Sequence, residues 1–211
     1  MAGSASGLCA PRSNRGTERR VRVVNDHALP RLSLNDIGVE YRELVTTQEY
    51  GPKPRIEGVQ ILDLRWFTDD GGAFTELARL DEQGCLAVLP EFQVRQVNYS
   101  VVLPGAVKAW HFHFNQEDVW FIPPTVRLLV GLLDVRTSSP TYRNTMRFVM
   151  GAGKAQVLYI PRGVAHGVAN IWAQDAYMMY LVNQQFDPEQ PDENRLPWDV
   201  LGDSFWQIQK G

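Results

Sequence analysis

Short runs of β-branched and aromatic residues follow one another along the chain from about residue 59 onward. Clusters of turn-forming residues separate them, such as Asp-Asp-Gly-Gly at 69–72 and Gly-Ala-Gly at 151–153. Closely spaced runs that are bounded by glycine and proline are typical of an antiparallel β-sandwich or barrel. The predicted strands cover residues 59–67, 92–102, 119–122, 126–135, 145–150, 156–160 and 176–182.

Helix is predicted in two places only. Residues 33–44 open with Ser33 and Asn35, either of which can cap the N-terminus of a helix. Residues 74–80 are predicted to form one or two helical turns. We therefore expect an all-β fold with a few short helices.

The first 25 residues differ from the rest of the chain. They are small, polar and rich in arginine, and such a segment buries too little apolar surface to offset the entropy lost on ordering. We expect residues 1–25 to be a disordered basic extension, with a transit peptide or an arm exchanged between subunits as alternatives. Residues 26–211 are expected to form a single domain.

Composition argues against several classes of function. The net charge of -3 and the pI near 5.8 argue against a nucleic-acid-binding protein, which needs a clustered basic surplus. Two cysteines, Cys9 and Cys85, do not make a disulfide framework. No apolar run is long enough to span a bilayer. We expect a cytoplasmic protein that binds neither nucleic acid nor membrane.

Three of the four histidines fall in two short segments whose spacing suits a single site. His111 and His113 are two residues apart, so on a β-strand both imidazoles project from the same face. Glu117 follows closely enough to join them. His166 comes about fifty residues later, after a Pro-x-Gly turn, and supplies a fourth polar group if the two strands are neighbours.

The two histidine segments resemble the two sequence motifs of the cupin family, in the same order and at a plausible separation. The resemblance implies a cupin jelly-roll, a β-sandwich or barrel. It does not specify a reaction, because one fold supports many activities. The matching residues are Gly105, His111, His113 and Glu117 in the first motif, and Pro161, Gly163, His166 and Asn170 in the second.

Residues 60–200 resemble, more narrowly, the dTDP-4-dehydrorhamnose 3,5-epimerase family of deoxysugar-nucleotide enzymes. The stretch from Leu133 to Tyr142 is a long match, and the stretch from Val107 to Phe112 aligns with the one that carries the family's catalytic histidine. The resemblance implies an isomerase that acts on a nucleotide-linked 4-keto-6-deoxy sugar. Further matches lie at 67–76, 96–100, 160–167, 177–180, 186–188 and 196–199.

In that family a histidine removes a proton from the carbon beside a ketone, and a tyrosine returns one on the opposite face. No cofactor is required, because the ketone itself stabilises the enolate. The resemblance implies that His111 is the base and Tyr180 is the acid. The substrate-binding residues that it implies are Glu76, Gln96, Asn98, Lys108 and His166.

The chain also departs from the family pattern. Glycine at 71–72 stands where the family has an arginine, and residues 118–119 stand where it has a lysine that polarises the ketone. The aspartate that braces the base has no counterpart before Gly211. Asp199 and Asp203 are candidates to replace it.

These departures support a second hypothesis, a metal-dependent cupin enzyme that acts on another carbohydrate or small substrate. A Zn, Mn, Fe or Ni ion would then be bound by His111, His113, Glu117 and His166. A third hypothesis is a sugar-binding cupin without catalytic activity. We expect a homodimer, because sheet exchange between two barrels hides their edge strands.

Overall fold

The computed structural model describes residues 29–209, so the extension predicted at 1–25 lies outside the described residues. The chain divides into two units, residues 1–50 and 51–211. The described part of the first unit contains a 3₁₀ helix at Leu34–Asp36 and the helix α1 at Val39–Arg42. Within residues 29–209, no helix combines the length and the hydrophobicity needed to cross a bilayer.

The first unit confirms one predicted helix start. The Ser33 side chain accepts a hydrogen bond from the backbone N–H of Asn35, and Asp36 completes a capping box with it. The predicted helix over 33–44 is divided in two, because Ile37 adopts an extended conformation directly before Gly38.

Two five-stranded antiparallel sheets form a sandwich in the second unit and confirm the predicted all-β fold. One sheet has the strand order β1-β11-β8-β13-β6 and the other has the order β10-β9-β12-β7-β14. Two small hairpins, β2–β3 and β4–β5, accompany the sheets. The strands are β1 Gln60–Asp63, β2 Phe67–Asp69, β3 Gly72–Phe74, β4 Cys85–Leu86, β5 Leu89–Gln93, β6 Gln96–Val102, β7 Val107–Phe112, β8 Asp118–Phe121, β9 Arg127–Asp134, β10 Thr145–Gly151, β11 Gln156–Ile160, β12 Val164–Ala169, β13 Ala176–Val182 and β14 Asn194–Arg195.

Most predicted strands are confirmed, but the helical turns predicted at 74–80 are wrong. Phe74 instead pairs with Phe67 in the β2–β3 hairpin, and Leu80 forms an isolated β-bridge with Leu86. The predicted strand at 92–102 is two strands, β5 and β6. The predicted strand at 59–67 ends at Asp63, and β2 begins after a break.

Strand β9 explains why residues 128–133 in the middle of the predicted run contain no polar side chain. Its alternate side chains Leu128, Val130 and Leu132 belong to one buried cluster, and Leu129 and Leu133 belong to another. The second cluster includes Trp110 and Trp206. Both faces of β9 are therefore covered, and neither face needs polar residues.

The pairing of β7 with β12 brings the two histidine segments together. His166 pairs directly with His111, and the register shifts between His166 and Val168. Gly167 lies at this irregularity, where an added Cβ atom would be 2.3 Å from the Cβ of Ala109. Only glycine leaves room for the two strands at this point, so the residue holds the histidines in register.

Candidate active site

A cavity of about 880 Å³ lies between strands of the two sheets. We call it the barrel cavity. Strands β6, β8 and β13 of one sheet and β7 and β12 of the other contribute to its wall, together with the segment before β14. The ionisable residues in its lining are Lys108, His111, His113, Asp118, His166, Tyr180, Asp187, Asp192, Glu193 and Arg195.

His111 is held by a carboxylate. Its Nδ1 lies 3.0 Å from Oε1 of Glu193, and because a carboxylate only accepts hydrogen bonds, Nδ1 donates and Nε2 keeps a lone pair. The pairing of β14 with β7, which places Arg195 opposite His111, brings Glu193 to this position. The Arg195 guanidinium also donates to Glu193 at 3.0 Å.

Burial lowers the pKa of His111, and the nearby Arg195 charge lowers it further, although Glu193 opposes both effects. The imidazole is therefore neutral near pH 7, the form in which it can accept a proton. Sequence reasoning missed Glu193, and named Asp199 and Asp203 as candidate braces instead. Neither of those two residues lines the barrel cavity. The only signal for Glu193 is a strand of two residues, too short to recognise in a sequence.

Tyr180 lines the barrel cavity from the opposite sheet. It lies on β13, paired with Trp120 on one side and Asn98 on the other. Burial, followed by the charges of Asp118 and Glu193, raises the pKa of its hydroxyl. The hydroxyl therefore keeps its proton at neutral pH and is able to act as an acid.

Three buried side chains meet beside His111, which we call the His113–Asp118–His166 triad. Nε2 of His113 lies 3.9 Å from Oδ1 of Asp118, and Nε2 of His166 lies 3.7 Å from Oδ2. Suitable ligand atoms of all three residues lie within 4.8 Å of one another. Burial lowers the pKa of His166 to about 4, against the opposing charge of Asp118. His166 is therefore neutral at pH 7, and its contact with Asp118 is not an ion pair.

Glu117, which the sequence placed with the histidines, does not join the triad. Its carboxylate accepts a hydrogen bond of 3.2 Å from the Asn183 side chain, and it is not part of the cavity lining. The chain turns between His113 and Asp118, and the first residue of β8 is the one that points inward. His111 is also outside the triad, because the ligand atoms that lie within 4.8 Å of one another come from the other three residues.

The structure brings together four of the five predicted substrate-binding residues. Gln96, Asn98, Lys108 and His166 all line the barrel cavity. The Gln96 amide donates to Asn98 at 2.8 Å, and Lys108 donates to Ser100 at 3.0 Å. Glu76 is not in the lining, and its carboxylate pairs at 2.8 Å with Arg79.

The two sheets, with a histidine–carboxylate pair and a tyrosine facing one cavity, define a cupin-type jelly roll with the groups needed for acid–base chemistry. A sequence model of the family described as dTDP-4-dehydrorhamnose 3,5-epimerase matches residues 53–201. The chain belongs to this family.

Curated relatives and a solved structure agree with this assignment. The spore coat polysaccharide biosynthesis protein SpsL of Bacillus subtilis is 39% identical over 144 residues, which cover 68% of this chain and 91% of SpsL. The Haloferax volcanii protein described as "Probable low-salt glycan biosynthesis epimerase Agl13" is 34% identical, over 69% of this chain and 90% of its own. A dTDP sugar isomerase from Desulfovibrio desulfuricans superposes with a TM-score of 0.60 at 28% identity, over 69% of this chain and 88% of the other.

Proposed function

We propose that the protein is an epimerase that acts on a nucleotide-linked 4-keto-6-deoxy sugar. Family membership supports an epimerase. The names of the three relatives refer to a dTDP sugar, a spore coat polysaccharide and a glycan. On this basis we propose a nucleotide-linked sugar as the substrate class of this protein.

The observation that carries the proposal is the placement of His111 and Tyr180 on opposite sheets around one cavity. Epimerisation removes a proton from one face of a carbon and adds a proton to the other face. A base and an acid on facing walls suit that reaction, whereas two groups on one wall would return the proton to the face it left.

In the proposed reaction, Nε2 of His111 takes the proton from the carbon beside the ketone. The electron pair of that C–H bond moves into the carbonyl, which becomes an enolate. The Tyr180 hydroxyl then donates its proton to the opposite face of the same carbon as the ketone re-forms. Glu193 stabilises the imidazolium that exists between these steps, because it accepts a hydrogen bond from Nδ1. Proton exchange with solvent restores both residues.

The polar lining supports binding of a sugar. We propose that the amides of Gln96 and Asn98 contact sugar hydroxyl groups, and that Lys108 and Arg195 face the negative charges of the substrate. Because Glu76 lies outside the lining, it is left out of this proposal.

Solvent isotope uptake tests the function. The protein is incubated in heavy water with 4-keto-6-deoxy sugars linked to dTDP, UDP, GDP or CDP. The molecular mass of each sugar nucleotide is then measured by mass spectrometry. Reaction at one carbon adds one deuterium, and reaction at both neighbours of the ketone adds two. Failure of every sugar nucleotide to gain deuterium above a protein-free sample would contradict the proposal.

Glu193→Gln is expected to lower kcat by about 10- to 100-fold and to change KM little, because the neutral amide stabilises the imidazolium less than a carboxylate does. Glu193→Asp restores part of the loss. Steady-state kinetics with the substrate found above provides the measurement. Glu117→Gln is the matched control, since that carboxylate lies outside the cavity lining. Equal effects of Glu193→Gln and Glu117→Gln would refute the role of Glu193.

We also propose a homodimer. Strand β6 is at the edge of its sheet, and Val97, Tyr99 and Val101 on it are exposed. An apolar edge strand favours pairing with a second chain. Light scattering that gives the mass of one chain would refute this. The cytoplasmic location stays a prediction from the cysteine content, which cell fractionation would check.

A further inference from the structure

We propose that His113, Asp118 and His166 bind one divalent transition-metal ion inside the barrel cavity. The site differs from the four-residue set predicted from the sequence, since Asp118 replaces Glu117 and His111 is not a ligand. The inference goes beyond the proposed function, because ion binding is measured without any turnover.

Backbone carbonyls fix both imidazoles in the form that a metal requires. Nδ1 of His166 donates to the carbonyl of Val164 at 2.9 Å, and Nδ1 of His113 donates to the carbonyl of Asp192. Each ring therefore keeps its lone pair on Nε2, and both Nε2 atoms face the Asp118 carboxylate. Hydrogen bonds from the second ring nitrogen are what orient histidine ligands in metal proteins.

The spacing of these atoms suits an ion. Metal–ligand distances of about 2.0–2.2 Å place neighbouring ligand atoms roughly 3 to 4 Å apart. The two separations between imidazole and carboxylate are 3.9 and 3.7 Å. Small side-chain movements are enough to close the triad around a metal.

Other residues hold the ligands in place. The Trp120 indole N–H donates to Oδ2 of Asp118 at 3.0 Å. The Asp192 side chain, whose backbone carbonyl orients His113, accepts hydrogen bonds from the backbone N–H groups of residues 114–116. These hydrogen bonds orient the ligand side chains before any ion binds, which reduces the entropy lost on binding.

The charge of the site also calls for a cation. Asp118 is only 3% exposed, and a buried carboxylate is costly without a positive partner. Among residues 29–209, no lysine or arginine forms an ion pair with Asp118. The Gln116 amide donates to Asp118 at 2.9 Å and lies 3.3 Å from Nε2 of His113. This amide is a neutral partner and brings no positive charge to the carboxylate.

Two imidazoles and one carboxylate favour Mn, Fe, Co, Ni or Zn over Mg or Ca, which prefer oxygen ligands. Three protein ligands leave coordination positions open to the barrel cavity for water or a substrate oxygen. Asp118 also stands where the family resemblance implies a lysine. An ion bound there would return positive charge to that part of the cavity.

Titration calorimetry on the chelator-treated, full-length protein tests the site. We expect one Mn(II), Co(II) or Zn(II) ion per chain and no saturable binding of Mg(II). Asp118→Asn and His113→Gln are expected to abolish saturable binding. Glu117→Gln, one residue before Asp118, is the matched control. We expect Glu117→Gln and His111→Gln, as separate variants, both to retain binding.

Circular dichroism and thermal unfolding of each metal-free variant show whether it is folded. Should Asp118→Asn not fold, the His113→Gln variant and the absorption spectrum of the Co(II)-loaded wild type, which reports imidazole coordination, decide the question. Stoichiometric binding that survives in the folded triad variants, or its absence from the wild type, would overturn the proposal.

Isotope uptake separates this inference from the proposed function. Deuterium uptake by the chelator-treated protein, together with no ion binding under any condition, would support the epimerase function and refute the metal site. Stoichiometric ion binding without deuterium uptake into any keto sugar nucleotide would support the metal site and refute the epimerase function.

Discussion

His111→Asn lowers kcat for epimerisation by about 10²- to 10⁴-fold, the range that general acid–base groups contribute. The asparagine amide has no basic nitrogen at neutral pH, so nothing on that wall of the cavity accepts the carbon-bound proton. The amide can still donate to Glu193, which limits any change to the structure. Deuterium uptake falls with kcat, because uptake requires the same proton removal.

Kinetics and mass spectrometry on the same preparation measure both effects. The side chain of His111 is 24% exposed, so we expect the unfolding temperature to change little. Glu117→Gln, which alters a side chain outside the cavity lining, retains wild-type activity. Undiminished turnover in a folded His111→Asn variant would exclude this histidine as the base.

Tyr180→Phe is also expected to have a large effect on epimerisation, and it separates proton removal from proton return. We expect inversion of the carbon to fall by about 10²- to 10⁴-fold, because the phenyl ring has no proton to donate. Proton removal by His111 does not need the hydroxyl, so the starting sugar continues to exchange its hydrogen with solvent. The ratio of exchange to inversion therefore rises.

Tyr177→Phe is the matched control on the same strand. Tyr177 lies outside the cavity lining, and its ring packs against Tyr99 with ring centres 6.1 Å apart. It is expected to change neither exchange nor inversion. A parallel fall of exchange and inversion in Tyr180→Phe would argue against a role confined to the returning proton.

Much of the fold is visible in the sequence, because strands with two covered faces leave a continuous apolar run. Strand β9 is such a case over residues 128–133. Strands β9, β10, β11 and β13 all begin and end within one residue of prediction. The convergence of His111, His113 and His166 is visible for a related reason. His111 lies on β7 and His113 directly follows the last residue of that strand, and both line the barrel cavity. The turn before His166 marks the next strand.

The rest of the site depends on irregular backbone. The choice between Glu117 and Asp118 is set by the turn that follows His113, where no period of two or 3.6 residues applies. Glu193 reaches His111 through a strand of two residues. Neither feature leaves a periodic signal, so sequence patterns favour the wrong carboxylate in one case and give none in the other.

The segment at 74–80 shows that a local helix preference in the sequence can be overridden by pairing between strands. Its residues suit a short helix locally, but cross-strand pairing of Phe74 with Phe67 and of Leu80 with Leu86 outweighs that preference. Glu76 lies in this segment, where its carboxylate pairs with Arg79 outside the cavity lining.

The configuration of the labelled carbon decides whether the protein inverts a carbon beside the ketone. The wild-type protein is incubated in heavy water with the accepted keto sugar nucleotide, and nuclear magnetic resonance identifies which carbon carries deuterium and on which face. We expect deuterium at a carbon beside the ketone, with that carbon inverted. Deuterium found only in the original configuration, or at no carbon beside the ketone, would contradict this expectation.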